Sequence, residues 1–159
     1  MDVGTHMVTG LVLSTLFDGL WAKLACFIGA IWADWMLFSR FLSLSIKEII
    51  KRTKSKNWKT PAPWVMRVYY FCHSFLFLTL VFVVAWFFRN IIIFGFAIGY
   101  ASHILWDIPT HTGVWANRPL YPFLDIKIQG LRDWWLHREM LIFILITWIW
   151  LFALYLFLR

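Results

Sequence analysis

The sequence predicts an all-α fold, a polytopic membrane bundle of about five transmembrane helices with one basic loop and one long Pro-containing cytoplasmic loop. Composition is the first reason. Of 159 residues, 62% are hydrophobic and 14% charged, against roughly 45–50% and 25% in soluble domains, so polar residues are too few to cover a soluble core. Twelve Trp and sixteen Phe exclude disorder by the same arithmetic. The second reason is the recurrence of long apolar runs. A span takes roughly 20 residues, which leaves room for about five spans and one or two loops in a single integral domain, residues 1–159.

The elements follow in order. Met1-Asp2-Val3-Gly4-Thr5-His6 lacks the basic start of a cleavable signal, so a retained first helix is expected over about 5–18. Asp18-Gly19 marks a turn into a second helix over about 21–45, giving a helical hairpin. Lys47 to Pro63 is polar, basic and closed by two prolines, and reads as the principal loop. A third helix is expected over about 64–88 and a fourth over about 91–108, separated by a break at Arg89-Asn90. Pro109 to His137 is a long segment interrupted by Gly113, Pro119, Pro122 and Gly130, with Trp134-Trp135 suited to a membrane interface. The last helix, about 139–158, carries no ionisable group from Met140 to Leu158 and has the character of a lipid-facing span.

The net charge of +7 raises nucleic acid as a partner. The basic residues instead concentrate between Lys47 and Arg67, beside apolar segments and without a stacking or base-reading module, so a positive-inside loop near anionic lipid is expected and nucleic acid is not. Cys26 and Cys72 lie in apolar runs without a CxxC spacing, so neither a disulfide framework nor a zinc ribbon is indicated. Placing Lys47, Lys51, Arg52, Lys54, Lys56 and Lys59 in the cytoplasm puts the N-terminus inside, the C-terminus outside and the 109–137 loop inside a multi-pass cell (inner) membrane protein.

That orientation gives each buried polar residue a depth. At ~1.5 Å per residue, Asp34 lies roughly 13–15 Å from the inner end of its helix, His73 about 13 Å in, and His103 and Asp107 within about 8 Å. With His6 near the inner start of the first helix, five ionisable residues from four helices share one leaflet. Small residues point the same way. His6, Gly10 and Ser14 are spaced by four, as are Ala22, Cys26, Ala30 and Asp34, and again Gly95, Gly99, His103 and Asp107. Each stripe lies on one helix face, where small residues let membrane helices approach closely, and each carries a polar group turned into the bundle. Helix 3 supplies His73-Ser74 without such a stripe, which leaves its facing open.

The chemistry that fits this set is metal binding. His103 and Asp107, at i and i+4, can converge on one ion, and imidazole with carboxylate suits zinc, manganese or iron better than calcium. Asp34 and His73 complete four candidate ligands, with His6 and His111 available for a second site or an outer shell. The cofactor expected is a divalent transition metal, zinc or manganese. The same residues are equally compatible with satisfied polar pairs, Asp34 with His73 and Asp107 with His103, that only pin the bundle.

At these residues the sequence resembles the YdjM-like family of small inner-membrane proteins, described as metal-dependent hydrolases. The resemblance is carried by Met1-Asp2-x-x-Thr5-His6 opening into Gly10, by Ala33-Asp34 near the end of the second helix, by His73-Ser74 and by His103-x3-Asp107. It is specific over His103 to Phe123, where an Asp-Ile-Pro-Thr-His element precedes a Pro-containing stretch, and patterned elsewhere. Two positions depart from the family pattern. Pro-Asp-x-Asp becomes Ala33-Asp34-Trp35-Met36, losing a carboxylate, and His-Arg-Gly-x-Thr-His becomes Val68-Tyr69-Tyr70-Phe71-Cys72-His73, losing a histidine. The order His, Asp, His, His-x3-Asp is also similar to zinc-dependent phospholipase C and related nucleases.

The resemblance implies a metal held by Asp34, His73, His103 and Asp107 that activates a water against an ester or phosphoester, with His6 or His111 as a further ligand or general acid/base. Pro109 ends or kinks helix 4 so that His111 can turn back toward the site. Arg118 is either an ordinary interfacial arginine or a phosphate-binding lid residue. A site in the cytoplasmic leaflet would meet the bilayer itself, and a lipid or amphiphile as substrate. The alternatives are a catalytically inactive structural or partner-binding membrane protein and an ion or proton transporter. No inverted repeat or broken helix pair favours transport.

Overall fold

The structure, a computed structural model, describes residues 3–42, 63–131 and 138–158. Its helices are α1 (Val3–Ser14), α2 (Leu20–Leu42), α3 (Pro63–Cys72), α4 (Phe75–Phe88), α5 (Ile91–Thr110) and α6 (Arg138–Leu158), with a short 3-10 turn at Gly113–Trp115. Among the described residues the only β pairing is a single antiparallel bridge between Asn117 and Ile128, so the all-α expectation holds. The basic residues Lys47 to Lys59 lie outside the described residues, as do Trp134, Trp135 and His137.

Local chemistry sets the boundaries. The first helix ends at Ser14, short of residue 18, and the chain turns into α2 through Gly19, whose φ of 88° suits glycine. The Ser14 and Thr15 hydroxyls donate to the carbonyls of Leu11 and Val12, taking up acceptors left over at the helix end. Between α4 and α5 the break at Arg89-Asn90 is capped on both sides. Arg89 adopts a left-handed φ of 47° and closes α4, while the Asn90 side chain accepts from the Ile92 and Ile93 N–H groups at 2.9 and 3.2 Å.

The third predicted helix is not continuous. It breaks at His73-Ser74 into α3 and α4, which bend by 48°. Ser74 is the reason: its extended backbone (φ −93°, ψ 147°) and its hydroxyl, accepting from Phe77 N–H at 3.1 Å, make it the N-cap of a new helix. The fourth helix runs two residues past its expected end, with Pro109 in its last turn, and stops at an extended His111.

The α2–α5 pair forms the centre of the bundle, with α1 packed on both and α6 on α1. The small-residue stripes make this contact. A Cβ on Gly99 would run into the Cys26 carbonyl oxygen, one on Gly95 would lie 2.7 Å from the Ala22 oxygen, and one on Gly10 would lie 2.7 Å from the Ala30 Cβ. Only hydrogen at Gly99 lets the two backbones come this close. By contrast α6 carries its large apolar side chains outward, including Leu145, Ile149, Trp150 and Phe157, and is tied to α1 by Trp148 Nε1–H donating to Thr5 Oγ1 at 2.6 Å.

Among the described residues, α5 is long and apolar enough to cross a membrane, and the bent pair α3–α4 passes the same test as one broken span. Val3–Ser14 and Ile144–Phe157 are apolar but shorter.

Candidate metal centre

Six side chains predicted from four helices and one loop meet in the bundle. Four of them, His6, His73, His103 and Asp107, are 0% exposed. His103 and Asp107 share a face of α5 one turn apart. Because Gly99, a turn earlier, admits α2, the Ala30 carbonyl reaches His103 Nδ1 at 2.8 Å. His73 sits at the α3–α4 break, its Nδ1 2.9 Å from the Tyr69 carbonyl and its ring stacked on Tyr69 at 3.9 Å. The break frees backbone groups that find specific partners: the Tyr100 hydroxyl donates to the Cys72 carbonyl, and Phe75 N–H donates to the Pro119 carbonyl at 2.9 Å. The facing of His73, open at the level of sequence, is thus inward.

These partners decide the tautomers. A backbone carbonyl cannot donate, so both His73 and His103 carry a proton on Nδ1, and in the neutral rings both Nε2 atoms present lone pairs. The two Nε2 atoms are 3.2 Å apart, and Asp107 Oδ2 lies 3.3 Å from the first and 3.2 Å from the second. With both rings neutral, three acceptors stand in a triangle, which either a metal ion or a proton on one Nε2 would join. The edges are also of the right length. A tetrahedron with metal–ligand bonds of about 2.0–2.1 Å has edges of about 3.3–3.4 Å. Asp34 Oδ1, 3.9 Å from His103 Nε2 and on the side chain that is 19% exposed, stands at the open side of this triangle. The residues present therefore fit zinc in nitrogen and oxygen coordination.

The other oxygen of Asp107 faces a second group. Oδ1 lies 3.2 Å from His6 Nε2 and 3.6 Å from His111 Nδ1, and the His6 ring stacks on His103 at 3.8 Å. Among the described residues two sets of three donor residues result, Asp34–His73–His103 and His6–His103–Asp107, each with its ligand atoms within 4.8 Å of one another. His111 differs from the rest. The Thr110 hydroxyl donates to the Trp106 carbonyl at 2.9 Å, so it offers a lone pair to His111 Nδ1 at 3.2 Å and places the imidazole proton there. Burial pushes His111 down to about 4, so it is neutral at pH 7.

The structure thus assembles His6, Asp34, His73, His103, Asp107 and His111 in one cluster. Arg118 stands apart from it: its Nη1 pairs with Asp125 and its guanidinium lies 3.6 Å over the Tyr70 ring, so its donors pin a loop. Sequence reasoning missed Tyr69 and the Ala30 carbonyl, which set the tautomers of His73 and His103. A tyrosine four residues before a histidine carries no signal by itself, and a main-chain carbonyl carries none at all.

The profile of the family described as zinc dependent phospholipase C matches residues 9–142. Searches of curated proteins and of solved structures return no match. The match takes in Asp34, His73, His103, Asp107 and His111, and His6 lies just before it. With most of the chain covered by that profile, the chain belongs to the zinc-dependent phospholipase C family, and His6, Asp34, His73, His103 and Asp107 are the residues grouped as candidate metal ligands.

Proposed function

We propose that this protein is a membrane-embedded, zinc-dependent hydrolase that cleaves the phosphoester of a membrane lipid or a related amphiphile. The observation that carries the reading is the triangle of His73 Nε2, His103 Nε2 and Asp107 Oδ2, three buried ligand atoms with edges of 3.2–3.3 Å, close to the ligand spacing of a tetrahedral zinc site. In this reading the chain is one integral domain of the multi-pass, YdjM-like type in the cell membrane. Its N-terminus is cytoplasmic and its site lies in the cytoplasmic leaflet. Asp34, His73, His103 and Asp107 hold zinc, and His6 belongs to the same set through Asp107 Oδ1.

Zinc, when bound, supplies a Lewis acid that makes water nucleophilic at neutral pH and polarises a phosphoryl oxygen. The protein does the rest. Asp107 joins the two halves of the cluster and orients both through its two oxygens. The Ala30 and Tyr69 carbonyls hold His103 and His73 in the tautomer that presents Nε2. His111, whose Nδ1 lies 3.6 Å from Asp107 Oδ1, is the neutral imidazole that this reading assigns as general acid/base, exchanging a proton with the attacking water and the leaving oxygen. Asp34, the most accessible member of the cluster, lies where substrate enters.

The test is hydrolysis in proteoliposomes of mixed phospholipids, with products resolved by mass spectrometry. Diacylglycerol that appears with zinc, disappears with chelator, and is absent from His103→Ala and His111→Ala proteins supports the reading. Free fatty acid instead of diacylglycerol moves the cleaved bond to the acyl ester. Purified protein that carries stoichiometric zinc and turns over no lipid would overturn catalysis and leave a structural zinc protein.

A further inference from the structure

The segment after α5 is folded, and its tip is apolar. Its neck is closed by backbone bonds from Gly130 N–H to the His111 carbonyl and from Leu131 N–H to the Pro109 carbonyl, both 2.8 Å, and by Ile128 N–H to the Asn117 carbonyl at 2.9 Å. Its body packs on α3 through Trp115 and Tyr121 against Met66, Tyr69 and Tyr70. Beyond these contacts Leu120, Phe123, Leu124 and Ile126 project outward, Phe123 at 78% and Leu124 at 52% exposure. A soluble loop with this many protruding large apolar residues pays for each in hydration, and such a patch marks an interaction surface.

Three observations identify what covers it. The first turn of the tip pairs its own backbone, with Tyr121 N–H donating to the Arg118 carbonyl at 3.2 Å and Phe123 and Leu124 N–H donating to the Leu120 carbonyl at 3.0 and 3.1 Å, and the exposed carboxylate of Asp125 is paired with Arg118. A turn whose amides are already paired can enter a medium poor in water at little further cost. The tip is also continuous with the outer side of the bundle. The Pro119 carbonyl is bonded to Phe75 N–H at the α3–α4 break, and Phe71 and Leu76 beside that break are themselves exposed. Finally, the loop joins the end of α5 to the start of α6, so in the membrane reading both of its ends lie at the same bilayer face.

We propose that the tip of the 111–131 loop, Leu120 to Ile126, is a bilayer anchor that sits in the interfacial zone of the leaflet holding the metal centre. The partner is a lipid surface, entered to headgroup and upper-acyl depth by Phe123 and Leu124. Because the same loop is bonded to the break that carries His73, the anchor fixes the depth of the cluster within that leaflet. This rests on the membrane reading above, and the experiment separates the two.

Single cysteines are introduced as Phe123→Cys, Leu124→Cys, Gln129→Cys and Val83→Cys in a full-length background with Cys26→Ala and Cys72→Ser. Each protein is checked for retained zinc, nitroxide-labelled, and reconstituted in phosphatidylcholine–phosphatidylglycerol nanodiscs. Relaxation by oxygen and by a nickel chelate reports depth. The expected result is oxygen-dominated relaxation at 123 and 124, and nickel-dominated relaxation at 129 on the neck. An aqueous label at 123 and 124 with a lipid-buried label at 83 overturns the anchor and keeps the membrane reading. An aqueous label at 83 overturns the membrane reading, and labels at 123 and 124 then decide the anchor by themselves. Labels at 123 and 124 shielded from both agents, with immobile spectra, overturn it in favour of contact with a second copy of the chain or another protein.

Discussion

Asp107→Asn isolates the central feature of this structure. The carboxylate lies within 3.2–3.6 Å of His6, His73, His103 and His111. The amide keeps its size and can donate N–H to a bare Nε2, so the substitution spares packing while removing an anionic donor. Zinc bound by four ligands in small protein sites is worth about 10–16 kcal/mol, or roughly 2.5–4 kcal/mol per ligand, which is roughly 10²–10³ in Kd. Asp34→Asn should cost less, roughly tenfold, because Asp34 stands 3.9 Å from His103 and is partly exposed. Zinc stoichiometry by mass spectrometry and competition with a chelator of known affinity measure both. Wild-type zinc affinity in Asp107→Asn, or a larger loss in Asp34→Asn than in Asp107→Asn, would refute the geometry of the centre as argued here.

Other expectations follow from backbone contacts and orientation. Gly99→Ala places a methyl against the Cys26 carbonyl and forces α2 from α5, lowering stability by about 1–3 kcal/mol in thermal unfolding and weakening zinc as the Ala30 carbonyl leaves His103. Gly130→Ala sets a Cβ 2.6–2.8 Å from the carbonyls of His111, Ile108 and Pro109, so the loop neck opens. Limited proteolysis should then cut within 111–131 while zinc stoichiometry is retained. A reporter fused after Arg159 should read as outside the cytoplasm, and a cytoplasmic signal would invert the proposed orientation.

Much of the centre was legible in the sequence because charged and imidazole groups are rare in apolar helices, so each one is informative. The i, i+4 stripe of Gly95, Gly99, His103 and Asp107 identified the inward face of α5, and Ala22, Cys26 and Ala30 identified its partner face on α2. The break at His73-Ser74 was less visible. Ser74 lies inside a predominantly apolar run, and hydropathy does not distinguish a serine that caps a helix from one carried within it.

Composition and periodicity determined the class of fold and the short roll of residues able to carry chemistry, since both depend on local spacing and on the cost of putting polar groups into apolar surroundings. Which oxygen of Asp107 faces which histidine, which nitrogen of His73 and His103 carries the proton, and whether Arg118 meets the cluster or Asp125 were decided by tertiary structure alone. Those choices depend on contacts between groups as far apart in the chain as His6 and Asp107 and on main-chain carbonyls that have the same identity in every residue. A distance between helices, rather than any property of one helix, sets them.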